Sequence, residues 1–263
     1  ILAQGEPFGS SSIYAQNKVF QAAKRQGIKV ILDGQGADEL FAGYPSHRGA
    51  YVADHISRGH LIKALSLLNK GTGHFNQSRL MLAKMALNYL MPNALYSFSR
   101  NLAGHGNRHP WLDLSKLSET GVNTELTQSQ NYREDIMKQV LRDSLEERSV
   151  PQLLRYEDRN SMAYSVESRV PFLTPDFVSC SYSMPDDYYI DHNGYSKAAF
   201  RLAMRGIVPD SILDRKDKIG FQTPEEDWLT ELHCWVDDLI DQAGEFPWLN
   251  TDALRTEWLE IRE

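Results

Sequence analysis

The chain has 263 residues, 41% of them hydrophobic and 24% charged, an ordinary soluble globular balance with a net charge of −7. That acidic excess argues against a dedicated nucleic-acid surface, although a small basic pocket for a polyphosphate is compatible with it. Cys180 and Cys234 form neither a CxxC pair nor a Cys/His zinc spacing, and no apolar run approaches the roughly 18–20 residues of a membrane span.

No disulfide framework, structural metal or membrane partner is therefore expected, and the expected setting is the cytoplasm. The start, Ile1-Leu2-Ala3-Gln4-Gly5, has no initiator Met and no signal-peptide build, so it reads as an internal cut in a longer protein. In chain order, Ser10 to Ser12 can cap a helix with Ile13, Phe20 and Ala23 on its apolar face and Gly27 as its stop. Ile28 to Leu32 is a short β-branched run, read as a buried strand. Gly34-Gln35-Gly36 breaks it, and Ala37 to Phe41 opens another helix. Helix, strand, glycine turn, helix is the grammar of an α/β sheet, whose ligands sit beyond the carboxyl ends of the strands.

After about residue 50 the pattern is almost wholly helical. Leu61, Leu65 and Leu68 share one predicted face; Leu80, Ala83, Leu87 and Leu90 share another. Gly71 to Gly73 and Gly104 to Pro110 read as loops. Ile136, Val140 and Leu145 stripe a further helix, and Pro151 suits the first turn of the next. His47, His105 and His109 have no ligand spacing and read as surface or loop residues. Trp228, Trp248 and Trp258 read as packing residues. The sum is a helix-rich α/β chain with one sheet fragment.

Three stretches carry chemistry. Asp33-Gly34-Gln35-Gly36-Ala37-Asp38-Glu39 follows the strand directly: its glycines admit close backbone approach, and its carboxylates suit Mg²⁺ beside substrate phosphates. The same spacing equally fits a tight turn whose acids complement a helix dipole. Arg155 to Leu173 reads as a helix with Arg155, Asp158, Arg159, Met162 and Ser165 on adjoining strips, ended by Pro171 with Glu167 and Arg169 at its exit. An intrahelical ion-pair network fits that stretch as well. Arg215 to Phe221 is a basic loop with a glycine, able to swing over a polyphosphate, or simply solvated; Lys197 and Arg201 echo it one helical turn apart.

In this order the stretches resemble the asparagine synthetase (glutamine-hydrolysing) family. The family's SGxGxDE(L/V)FGGY stands here as Asp33 to Tyr44, its SMAxSVExRxPFLD as Ser161 to Thr174, its KxxLR as Lys197 to Arg201, and its RxKxGF loop around Lys216 to Phe221. Glu6 to Ser10 is similar to the family segment just before the strand. The resemblance runs from about residue 6 to 228 and is sparse between 50 and 150. It implies the C-terminal part of the synthetase domain over 1–263, an adenine nucleotide α-hydrolase-like (PP-loop ATP pyrophosphatase) fold with an incomplete parallel sheet, and an apolar sheet surface left exposed.

The activity so implied uses ATP and Mg²⁺ to convert aspartate to β-aspartyl-AMP with release of pyrophosphate, after which ammonia from glutamine gives asparagine. The implied partners are these small molecules, an N-terminal glutaminase domain of the same polypeptide and, as a homodimer, a second copy. By matched position Lys218 is the catalytic lysine and Gln35 lies beside the reacting group. Asp33, Gly34, Gly36 and Lys197 meet the nucleotide, and Asp38 meets the metal. Glu39 lies near the substrate, and Glu167 and Arg169 scaffold its pocket. Asp33 replaces the usual Ser, and Gln35 takes a place that is Glu in some members, which counts against an acid role there. The family's SGGxDS loop and the glutaminase Cys nucleophile are not found in these residues, so this stretch alone is expected to bind nucleotide poorly and not turn over. The alternatives are an amidotransferase or a cyclase such as β-lactam synthetase acting on another carboxylate, or a non-catalytic scaffold that keeps the fold.

Overall fold

The computed structural model describes residues 1–70, 78–92, 110–122, 135–215 and 223–262. The chain runs through α1 (Ser12–Arg25), β1 (Val30–Leu32), α2 (Ala37–Leu40), α3 (Pro45–Ser57), α4 (Leu61–Lys70) and α5 (Arg79–Leu90). Next come α6 (Leu114–Glu119) and α7 (Ile136–Asp143), a π-helical turn (Ser144–Arg148), α8 (Val150–Met162) and β2 (Glu167–Arg169). The remainder is α9 (Pro175–Ser183), α10 (Ala198–Ala203), α11 (Asp210–Leu213), α12 (Glu225–Glu231), α13 (His233–Gln242) and α14 (Thr251–Arg262). Two compact units result: one from Ile1–Met91 with Asn131–Gln222, the other from Pro92–Gln130 with Thr223–Glu263.

In the first unit, α1 buries Ile13, Phe20 and Ala23, the face its spacing predicts, and Gly27 follows at φ 74°. The cap is made by Ser10, whose Oγ accepts the Ser12 N–H at 3.2 Å. β1 pairs in parallel with β2, Val30 opposite Glu167 and Leu32 opposite Arg169. The expected buried strand is corrected here. Val30 and Leu32 share one face of β1 and are exposed, as is Ile28, because that face is left open among the described residues, while Ile31 on the other face lines the cavity beside α1. Apolar sheet surface therefore does face outward.

The core lies in the helices. Tyr51 and Val52 of α3, Leu67 of α4, Leu82 and Ala86 of α5, and Ile136, Met137, Val140 and Leu141 of α7 form one buried cluster. α3 and α5 come close because Gly49 has no side chain; a Cβ there would run into Met85 Cβ and the adjoining backbone. The expected leucine stripes need correcting. Leu61, Leu65, Leu80 and Leu87 are exposed, while Ala64, Leu67, Leu82 and Ala86 face inward. Both helices carry leucines on two faces, and close packing against α3 selects the face that holds the small alanines. His47 is also corrected: it is buried, edge-on to Tyr44, with Nε2 3.4 Å from Ser144 Oγ.

α8 has Pro151 in its first turn but ends at Met162, and Ser165 at φ 52° turns the chain into β2. Pro171 thus ends no helix, and Glu167 and Arg169 are strand residues. The inward face of α8 is Tyr156, Glu157, Asn160 and Ser161, while Asp158, Arg159 and Met162 point outward. Asn160 ties it to α1 and the N-terminal segment: its Nδ2 donates to Ile13 O at 3.0 Å, and its Oδ1 accepts from Gln4 Nε2 at 2.8 Å.

The second unit joins α6 to the terminal helices. Asp113 caps α6 by accepting from Ser115 and Lys116 N–H groups, and the Asp113 N–H donates to Trp248 O at 2.8 Å. Trp258 is buried, as expected, with Nε1 donating to Asp237 at 2.8 Å; Trp228 and Trp248 are half-buried. Among the described residues no helix is long and apolar enough to cross a membrane.

Candidate active site

The loop leaving β1 is fixed at both ends. The Asp33 N–H extends the β ladder to Arg169 O at 2.8 Å, and its own Oδ1 accepts the Gly34 N–H at 2.5 Å. Gly36 has φ 87°, the left-handed region that favours glycine, and a Cβ there would meet the Leu173 side chain. Asp33 and Gln35 border a mainly apolar cavity of about 280 Å³ between α1, β1 and α8.

Asp38 and Lys197 meet across the next part of the loop. Lys197 Nζ lies 2.8 Å from Asp38 Oδ1, and the Lys197 N–H donates to Phe41 O at 3.0 Å. Lys197 itself sits at φ 59°, as does Ala42 at 56°, in the left-handed region that non-glycine residues seldom occupy. Gly43 is glycine because a Cβ would strike the Asp38 carboxylate and the Lys197 side chain. Phe41 stacks on Phe200 at 5.3 Å and meets Phe177 edge-on at 5.8 Å, and Phe172 packs edge-on against both. The loop, the segment after β2 and α10 thus share one aromatic cluster.

Glu39 is buried, and its Oε1 accepts from Tyr44 Oη at 2.7 Å and Ser149 Oγ at 2.6 Å. Burial first, then the Glu39 hydrogen bond, raises the Tyr44 phenol well above its ordinary range. Glu39 therefore anchors the loop to the head of α8. Glu167 and Arg169 pair with each other at 2.8 Å on the exposed strand β2.

Two residues stand out: Glu157, not singled out by sequence, and Arg201, read there only as a basic echo of the 215–221 loop. Glu157 is buried under the Asp33–Gln35 loop, and Ser168 Oγ of β2 donates to it. Burial first, then the neighbouring Asp33 charge, pushes it up to about 7. Its signal was its place beside Tyr156 and four residues before Ser161, on the face that turned inward. Arg201 is the second. Its Nε donates to Ser196 O at 3.0 Å, and Nη1 donates to Leu213 O and to Arg215 O, the latter at 3.2 Å. It ties the residue before Lys197 to the chain entering 216–222. Lys218 lies outside the described residues.

The residues present fit Mg²⁺ only in the company of a polyphosphate. Among the described residues no three His, Cys, Asp or Glu side chains gather to hold an ion. Asp38 offers a half-buried carboxylate beside Lys197, while the Glu39 carboxylate is engaged by Tyr44 and Ser149, and Mg²⁺ commonly takes one or two carboxylates with substrate phosphates. Lys197 and Asp38 together give the site one fixed cation and one fixed anion.

The family model described as Asparagine synthase matches residues 1–262. Similar curated proteins include "Asparagine synthetase [glutamine-hydrolyzing] 1" of Bacillus subtilis, 29% identical over 89% of this chain and 37% of its own length. "Putative asparagine synthetase [glutamine-hydrolyzing]" of Mycobacterium tuberculosis is 28% identical over 84% of this chain and 34% of its own length. A shorter match, 29% identical over 33% of this chain and 16% of the relative, is to "Asparagine synthetase [glutamine-hydrolyzing]" of Bos taurus. The chain spans about a third of the length of the first two relatives. No solved structure matches.

Proposed function

The chain belongs to the asparagine synthase family, and from that premise we propose that it supplies part of the amide-forming site of an ATP-dependent ligase. The fold is read as part of a PP-loop ATP pyrophosphatase. The substrate is read as aspartate, activated at its side-chain carboxylate as an acyl-adenylate with release of pyrophosphate. Ammonia, released from glutamine by a glutaminase domain of the same polypeptide, then displaces the nucleotide monophosphate.

The observation that supports this most is the pairing of Asp38 with Lys197 at 2.8 Å, beside Gly43, where a side chain would enter the space those two side chains fill. Lys197 brings positive charge to the phosphates, and Asp38 is the carboxylate that would hold Mg²⁺. Bound there, the ion would neutralise charge on the leaving pyrophosphate. Asp33, Gly34 and Gly36 form the nucleotide side of the loop, and Gln35 offers an amide to the reacting group. Glu39 keeps Tyr44 and the loop in register, and Glu167 with Arg169 frames the substrate's approach. Lys218, on the segment that Arg201 leads into, stabilises charge in the transition state. Aspartate-dependent release of pyrophosphate in the presence of ammonium, by the intact protein, tests the reading.

A further inference from the structure

At the far end of α3 lies a polar cleft of about 380 Å³, a size that suits a small molecule. Tyr44 caps the start of this helix and His55 stands in its last turn, roughly 15 Å along the axis, so the cleft is separate from the Asp38–Lys197 loop. Its lining lies within the first unit, and Pro185 is the one apolar member among the described residues. Most of its charges are held in pairs. Arg58 reaches Asp54 at 2.9 Å, Asp135 at 2.7 Å and Asp186 Oδ2 at 3.0 Å. Lys63 reaches Asp187 at 2.5 Å, and Tyr51 Oη donates to the same carboxylate at 2.6 Å.

The groups left over are of two kinds. Three carry nitrogen. His55 is 4% exposed, with both ring nitrogens buried and without a hydrogen bond among the described residues. The His60 ring stands 5.9 Å from it, and the Lys138 ammonium has no ion pair among the described residues. The other kind is a single oxygen, Asp186 Oδ1, buried and without a hydrogen bond on the side of the carboxylate that Arg58 does not hold. Buried polar atoms are costly to leave bare, and bare donors and a bare acceptor on residues lining one cleft mark a place where a ligand supplies the partners. Burial first, then the charge of Lys63, lowers His55 to about 4, so at neutral pH its ring has one N–H to donate. A plain anion such as phosphate would face Asp135, Asp186 and Asp187 there, and a plain cation would face Arg58, Lys63 and Lys138. A molecule that carries both charges meets neither conflict.

We propose that this cleft binds a free α-amino acid, its ammonium group donating to Asp186 Oδ1 and its carboxylate accepting from Lys138 and from the imidazoles of His55 and His60. None of these residues has a part in the amide-forming reading, so the inference stands apart from it.

Calorimetry on the intact protein with each common L-amino acid tests it. The tightest of them is then compared with its α-amide, which lacks the carboxylate, and with its N-acetyl derivative, which lacks the ammonium. Each derivative should bind about 10-fold or more weakly, the scale of one charged hydrogen bond. Lys138→Met removes a partly exposed charge that holds no partner, and should keep the wild-type denaturant midpoint. His55→Phe removes the buried ring nitrogens. Each variant should also weaken binding by about 10-fold or more. The proposal is overturned if no amino acid binds, or if the tightest binds both variants as well as it binds wild type, which places it elsewhere. Equal binding of either derivative, or tighter binding of inorganic phosphate than of any amino acid, overturns it too.

Discussion

Lys197 reaches Asp38 with its ammonium at 2.8 Å and holds Phe41, three residues on, with its backbone N–H at 3.0 Å. One strained residue therefore fixes both the charge and the path of the loop after β1. The left-handed backbone at Lys197 and Ala42 costs on the order of 1–3 kcal/mol per residue, sustained by the aromatic cluster around Phe41. Such strain at a charge pair marks a site whose geometry is set before any ligand arrives.

Gly43→Ala tests the fit of that pair. Its Cβ would enter the space of the Asp38 carboxylate and Lys197, so the pair must part. Overpacking of this kind costs about 1–3 kcal/mol. A denaturant midpoint should report that loss, together with loss of aspartate-dependent pyrophosphate release. A variant as stable and as active as wild type would show that the pair has slack.

Asp38→Asn keeps the shape and removes the charge. The account expects activity to fall by at least about 10²-fold, the scale of losing one transition-state electrostatic contact. The Mg²⁺ concentration for half-maximal rate should rise as well. Lost activity with an unchanged Mg²⁺ requirement would take Asp38 out of the metal site.

Arg201→Ala should loosen the chain that enters 216–222, because three backbone carbonyls lose their donor. We expect kcat to fall by about 10-fold or more with KM for aspartate little changed, as when a transition-state interaction is lost. Arg201→Lys should restore little, since an ammonium cannot span the fork of acceptors. A full recovery in the lysine variant would show that charge alone suffices.

His55 gives the first unit a pH dependence. It is buried, and neither ring nitrogen has a hydrogen-bond partner among the described residues. Burial first, then the charge of Lys63, lowers it to about 4, with Asp187 and Asp186 opposing and His60 adding to the shift. The unfolded chain binds a proton near pH 6.5 and the folded chain only near 4, so stability falls as pH drops through that window. The loss between pH 7 and pH 5 should be on the order of 1–2 kcal/mol. Urea midpoints at those pH values in wild type and His55→Phe check it; an equal pH slope in both would assign the effect elsewhere.

Much of the site was legible because its signals are local. The Asp33–Glu39 spacing after a β-branched run gave strand, turn and helix, and Gly36 is glycine for the conformational reason its position suggests. Face choice was not legible. Leu65 and Leu87 look like core and are exposed, because Ala64 and Ala86 are the residues that let α4 and α5 close on α3. His47 and Glu157 were missed for a related reason. A polar residue gives no sign from sequence that its partners, Ser144 and Ser168, will come from distant segments and make burial tolerable. The strand lies at Val30–Leu32, inside the expected Ile28 to Leu32 but shorter, and its burial depends on what covers each face of the sheet, which local sequence does not specify.

The central claim is tested most directly by pyrophosphate release from Mg-ATP by the intact protein, with ammonium present and aspartate added or withheld, beside a Lys218→Ala variant. The account predicts release that requires aspartate, yields asparagine in equal amount and is largely lost in Lys218→Ala. Release independent of aspartate, or none from the wild-type protein, would contradict it.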